Sequence, residues 1–160
     1  MKKENTMQYR LQITLLAHGT VMLLIGLLAG VPLMIAINLE WGLFATHIWA
    51  VTHTSVTIVG ASFIAISGAF DHLVHGELES KILVGSLLLC AWTFTPGLVI
   101  AGVFGVQGLE PHGPFANWVV FILFVIGAFA MVFGAGVMVL GAQRALRVVV
   151  LGSMKRPKDS

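Results

Sequence analysis

Charge is what this chain has least of. Only 10% of its 160 residues are charged, against 58% hydrophobic, and the mean hydropathy is +0.95. A soluble domain carries about 25% charged residues. Too few are present here to coat a globule, which excludes a water-soluble fold and leaves an integral membrane protein. The net charge is only +2 and the basic residues gather toward the chain ends. Nucleic acid is excluded as a partner, because that footprint needs Lys and Arg clustered on one face. Cysteine is nearly absent too. The single Cys90 rules out an internal disulfide and any CxxC metal site. Its apolar surroundings suit a small buried hydrophobe better than a thiolate ligand to iron. A signal-peptide cleavage site is also missing: the apolar run after "MKKENTMQYR" continues past His18, as a first membrane span does.

What is present is a set of long apolar runs. About 20 apolar residues cross the hydrocarbon as a helix, and four stretches qualify: residues 11–37, 42–70, 82–106 and 115–142. Between them lie "NLEW", "DHLVHGELESK" and "QGLEPHGP", rich in polar and turn-forming residues. Lipid offers no partner to open backbone groups, so the spans are helices. The expected fold class is all-α: an integral membrane four-helix transmembrane bundle, one domain over residues 1–160.

Lys2, Lys3 and Arg10 precede helix 1, Lys81 follows helix 2, and Arg144, Arg147, Lys155, Arg156 and Lys158 end the chain. None falls in the first or third loop, so both termini and the middle loop are expected to be cytoplasmic. Tyr9, Trp41 and Trp118 stand near span ends, where aromatic rings settle at the interface. Gly26 and Gly30 in helix 1, and Ala130 and Gly134 in helix 4, have the four-residue spacing of helix packing surfaces.

Against this background the stretch "HIWAVTHTSVTIVG" is anomalous, because it puts imidazoles and hydroxyls into hydrocarbon. His53 lies roughly 17 Å below the outer end of its helix at 1.5 Å per residue. An ionisable group at that depth is expensive and marks a functional site by default. His53, Thr57, Gly60 and Ile64 share one helical stripe, whereas His47 is about 120° away. A glycine on the stripe lets a flat, bulky group approach the backbone. Thr52 and Thr54 flank the imidazole and can bond nearby carbonyls. His53 is therefore read as a ligand to a metal or haem, the alternative being polar glue between helices. His18 is open between glue and a place beside a cofactor. His47 is expected at the interface and His112 in solvent. His72 and His75 have a spacing that can serve zinc or nickel, but a solvated turn is the preferred reading.

Four segments resemble the styrene oxide isomerases: "AHGTVMLLIGLLAG", "AVTHTSVTIVG", the "CAW" of helix 3 and "GLEPHGPF". These are small four-helix proteins of the bacterial inner membrane that bind haem b and convert aryl epoxides to aldehydes. The segment from His53 to Gly60 is similar to the one holding the family's axial histidine. The resemblance thus implies His53 as the metal ligand; Thr57 and Gly60 on its stripe, and His18 if it is not glue, are the further candidate cofactor-binding residues. It also implies an apolar small-molecule substrate and a homo-oligomer, a trimer in the family, with haem near a subunit boundary. The family carries an asparagine just before that glycine and a tyrosine in helix 3, where this chain has Val59 and Leu98. This implies a pocket that keeps its metal and loses its polar positioning groups; Trp92, Phe94 and Phe63 are candidate aromatic walls, with plain packing the equal alternative.

The chemistry implied is Lewis-acid opening of an epoxide by Fe(III), then a 1,2-hydride shift. A dry cavity prevents water from trapping the cation. Two other readings stand beside this one. One is a membrane cytochrome with two axial histidines, such as His53 and His18. The other is a cofactor-free transporter subunit; its expected mid-membrane carboxylates are missing, since Glu40, Asp71, Glu77, Glu79 and Glu110 lie at or near loops.

Overall fold

The computed structural model describes residues 2–73 and 75–154, with the side chains of 2–5 and 152–154 left out of account. Pro32 decides where the first span breaks. Proline has no N–H, and its ring crowds the carbonyl four residues earlier, which here belongs to Leu28. Helix α1 (Lys2–Leu28) ends at that residue, and α2 (Gly30–Asn38) resumes with Pro32 in its first turn, where a missing N–H costs nothing. The single helix expected over residues 11–37 is thus two helices, which together form one candidate span, Thr6–Asn38.

The remaining helices are α3 (Leu43–Ala69, followed by a 3-10 turn at Phe70–His72), α4 (Glu77–Phe104) and α5 (Phe115–Met154). Helix α4 begins before residue 82 because the Glu79 carboxylate reaches back to the Gly76 N–H at 3.1 Å, satisfying one of the amides that a helix start leaves open. It ends at Gly105, whose φ of 65° is the left-handed cap that glycine permits. Helix α5 runs well past residue 142. Polar residues there end the apolar run but not the backbone hydrogen bonding. At 40 residues it is about 60 Å long. Among the described residues four helical segments are long and apolar enough to cross a membrane, and no strand occurs. The all-α membrane bundle stands.

Helix α1 packs along α3 and α4 along α5, and α3 and α4 join the two pairs. The centre of the core is Leu15, Met22, Val56, Phe63 and Ala91. Phe70, Leu83 and Val84 close one end, packed by Leu11, Leu73, Val137 and Met138. At this end Gln12 Nε2 donates to the Ser67 carbonyl (2.9 Å) and Ser67 Oγ to the Gln12 carbonyl (3.2 Å). The basic side chains Arg10, Lys81, Arg144 and Arg147 follow from helix segments at this same end. Lys155, Arg156 and Lys158, and the side chains of Lys2 and Lys3, lie outside the described residues.

The opposite end is tied by Asn117, whose side chain is nearly buried. Its Oδ1 accepts from the Gly108 N–H and its Nδ2 donates to the carbonyls of Glu110 and His112, each at 2.8 Å. His112 itself is exposed, as expected. Asn117→Ala leaves the buried Gly108 amide without its acceptor. It is expected to cost about 1–3 kcal/mol, read as a lower unfolding midpoint in detergent.

Candidate functional site

His53 stands on α3 ten residues from Leu43, about 15 Å along the axis. Its Nδ1 lies 2.8 Å from the Gly26 carbonyl of α1. A carbonyl can only accept, so Nδ1 carries the proton, and in the neutral ring the lone pair is on Nε2. No hydrogen bond to Nε2 occurs among the described residues, and the residue is only partly buried. A metal-bound histidine ordinarily donates its other N–H to a carbonyl or carboxylate, fixing tautomer and ring orientation. His53 has that arrangement. Glue and ligand are not alternatives here, because the contact to α1 uses one nitrogen and leaves the other. The donor set therefore fits one axial imidazole.

Two glycines let the first span close on this face of α3, Gly30 against the His53 ring and Gly26 against Thr57. A Cβ at Gly30 would fall 3.2 Å from Nδ1 and 3.3 Å from Cε1 of His53; one at Gly26 would fall 2.6 Å from Thr57 Oγ1. The Gly26/Gly30 pair, expected as a general packing surface, packs against Thr57 and His53. The threonine hydroxyls around His53 bond to their own helix: Thr52 Oγ1 donates to the Ile48 carbonyl (2.8 Å), Thr54 to Ala50 (2.8 Å) and Thr57 to His53 (2.7 Å).

The rest of the expected cofactor shell is rearranged. A Cβ at Gly60 would meet Leu23 Cα at 2.7 Å and the Gly19 carbonyl at 2.8 Å. The space that Gly60 leaves is thus taken by the backbone of α1, not held for a flat group. Thr57 is likewise pressed against Gly26. The stripe His53–Thr57–Gly60–Ile64 is real, and α1 covers it from Thr57 to Ile64 while His53 stays half-buried. His18 faces α4, where Trp92 Nε1 donates to its Nδ1 at 3.1 Å. It lies eight residues before Gly26, about 12 Å along α1, too far to share an iron with His53 of the same subunit.

The expected pocket residues also part company. Phe94 stacks on Phe124 of α5, centroids 5.2 Å apart. Phe63 is core, and Val59 packs against the same cluster. Trp92 is the partner of His18. Leu98 alone lines a cavity, of about 360 Å³, with Phe44, His47, Ile48, Val51 and Phe124. That is within the ~300–1,000 Å³ of small-molecule pockets. The residues of α3 that line it are turned away from His53: Val51 by about 160° and Ile48 by about 140°. Sequence reasoning missed this cavity, although Phe44, Ile48 and Val51 do form an apolar stripe on the far side of α3.

The family model described as styrene oxide isomerase matches residues 11–143. No curated protein matches the chain, and no solved structure does.

Proposed function

This chain belongs to the styrene oxide isomerase family, and from that membership we propose that it is a membrane isomerase converting an epoxide to an aldehyde with haem b ligated by His53. The observation that carries the proposal is the His53 Nδ1 to Gly26 carbonyl contact of 2.8 Å, which leaves a lone pair on Nε2 in an apolar helix. When bound, ferric haem supplies a Lewis-acidic centre for epoxide C–O cleavage and the 1,2-hydride shift that gives the carbonyl.

The chain's own residues do the rest. The Gly26 carbonyl holds the ring in one tautomer and orientation, with Nε2 as the ligating atom. Gly30 lets the ring seat against the junction of α1 and α2. The cavity walls Leu98, Ile48, Val51, Phe44 and Phe124 bind an apolar aryl or alkyl group and keep water from a carbocation. His47 and Gln107 are the polar side chains at its margin. With Leu98 in place of a tyrosine, substrate is selected by shape more than by hydrogen bonding.

His53 and this cavity lie on opposite sides of α3, so one subunit does not bring them together. A ring of copies, in which each presents His53 to the cavity side of the next, does so by one repeated heterologous contact. The proposal therefore includes a homo-oligomer, of the trimeric kind, with haem between subunits in the bacterial inner membrane. The test is to give the purified, haem-replete protein styrene oxide without oxygen and assay phenylacetaldehyde. Aldehyde with no diol is the expected product. Failure to turn over either styrene oxide or an alkyl epoxide sinks the assignment.

A further inference from the structure

His75 lies where the connection between α3 and α4 turns back against α5. The middle-loop segment is expected from sequence to be a solvated turn. His72 is exposed as that predicts, but the His75 side chain is only 2% exposed. Neither of its ring nitrogens has a hydrogen-bond partner. Glu79 Oε2 is 3.7 Å from Nδ1, beyond hydrogen-bond range. The ring fits a notch that α5 opens at Gly141: a Cβ there would fall 2.8 Å from Nδ1 and overlap Cε1 and Nε2.

The Glu79 carboxylate is already engaged. It accepts from the Gly76 N–H at 3.1 Å and from the Arg144 guanidinium, which ties α4 to α5. The charged groups that reach the ring are Glu79 from α4 and Arg144 from α5. On its own connection Asp71 and His72 are exposed, and on α4 the Glu77–Lys81 pair (2.7 Å) lies at the surface. We infer that His75, seated against Gly141 beside the Glu79–Arg144 pair, is a proton-operated latch that holds the lower half of α5 on the α3–α4 connection and releases it on acidification.

The neutral ring tolerates the notch because packing surrounds it. The protonated ring has two N–H donors and a charge, and the one carboxylate it faces, Glu79, stands 3.7 Å away at Oε2, an oxygen that already accepts from Gly76 and Arg144. Proton uptake therefore either expels the ring from the Gly141 notch or draws Glu79 toward it and away from Arg144, and either change loosens the hold on α5 at this end. Burial away from water lowers the proton affinity of His75 below that of an ordinary histidine; Glu79 opposes this and Arg144 adds to it. A group whose basicity is depressed in the closed form favours that form above its ordinary value, about 6.5. The preference fades as pH falls below it.

Hydrogen exchange of the full-length protein in detergent, corrected for intrinsic rates, reads the latch directly. Between about pH 7.5 and 5.5, amides of residues 141–151 are expected to exchange at least about fivefold faster at the lower pH, while residues 115–130 do not change. His75→Phe fills the notch without titrating and removes the pH effect. Gly141→Ala displaces the ring and gives the fast, acid-like rate already at about pH 7.5. Equal wild-type rates at both pH values, an acid effect that survives His75→Phe, or slow exchange in Gly141→Ala each overturn the latch. The Gly141 variant decides the matter if the Phe variant fails to fold.

Discussion

Replacing His53 by alanine is expected to abolish the Soret band of the purified, haem-replete protein while leaving its helical content intact. The ring contributes two separable things. Its Nε2 lone pair is the proposed ligand, and its Nδ1–H donates to Gly26 at 2.8 Å. Losing the second costs only about 0.5–1.5 kcal/mol, because the Gly26 carbonyl has a second lone pair for backbone bonding. The fold therefore survives the loss of the ligand, and a missing Soret band cannot be put down to unfolding. His53→Asn sharpens the comparison. An asparagine amide can donate from nearly the same place as Nδ1, so it keeps the tie to α1 and offers iron no imidazole. If the histidine only joined helices, the Asn variant would behave as wild type and no variant would change the spectrum. If it ligates haem, both variants lose the band, and Asn retains more stability than Ala. A wild-type spectrum with no Soret absorbance after haem-replete expression removes the cofactor from the account.

The spans were legible because lipid leaves a chain almost no choice of structure: a long apolar run must close its hydrogen bonds within itself. Their ends were not legible on the same basis. Glu77, Glu79 and Lys81 stop the apolar run but extend α4, and Arg144 and Arg147 lie within α5, because helical hydrogen bonding does not depend on hydropathy. Pro32 was a readable signal for the break at Ala29, one that an apolar window averages away. At the site, angular spacing placed His53, Thr57 and Gly60 on one face and turned His47 from it. A stripe on one helix does not say what covers it, however. The answer lay on helix 1 in Gly19, Leu23, Gly26 and Gly30, spaced to mesh with that face. His75 was harder still. Its burial depends on the missing side chain of Gly141, far along the chain, and nothing local distinguishes it from the exposed His72.

The second large effect belongs to that seam. Gly60→Ala is expected to destabilise the protein by about 1–3 kcal/mol, and Gly60→Val by more. The reason is what the added carbon meets. At most core positions it would meet side chains, which can change rotamer. At Gly60 it meets Leu23 Cα at 2.7 Å and the Gly19 carbonyl at 2.8 Å, backbone atoms of a continuous helix that can yield only if α1 moves as a body. Close approach through small residues is a principal source of helix association in lipid, where apolar burial between helices gains little, so the lost contact is not recovered elsewhere. Gly68 on the same helix is the control, since a Cβ there meets nothing within 4 Å. Gly68→Ala is expected to be neutral or stabilising by about 0.5–1 kcal/mol through helix propensity. Moving α1 also moves the Gly26 carbonyl away from His53 Nδ1, so Gly60→Ala should weaken haem retention without touching the ligand. Unfolding midpoints and Soret intensity of the two variants, measured side by side in detergent, test both parts. Equal midpoints would mean that α1 and α3 do not meet backbone to backbone at Gly60.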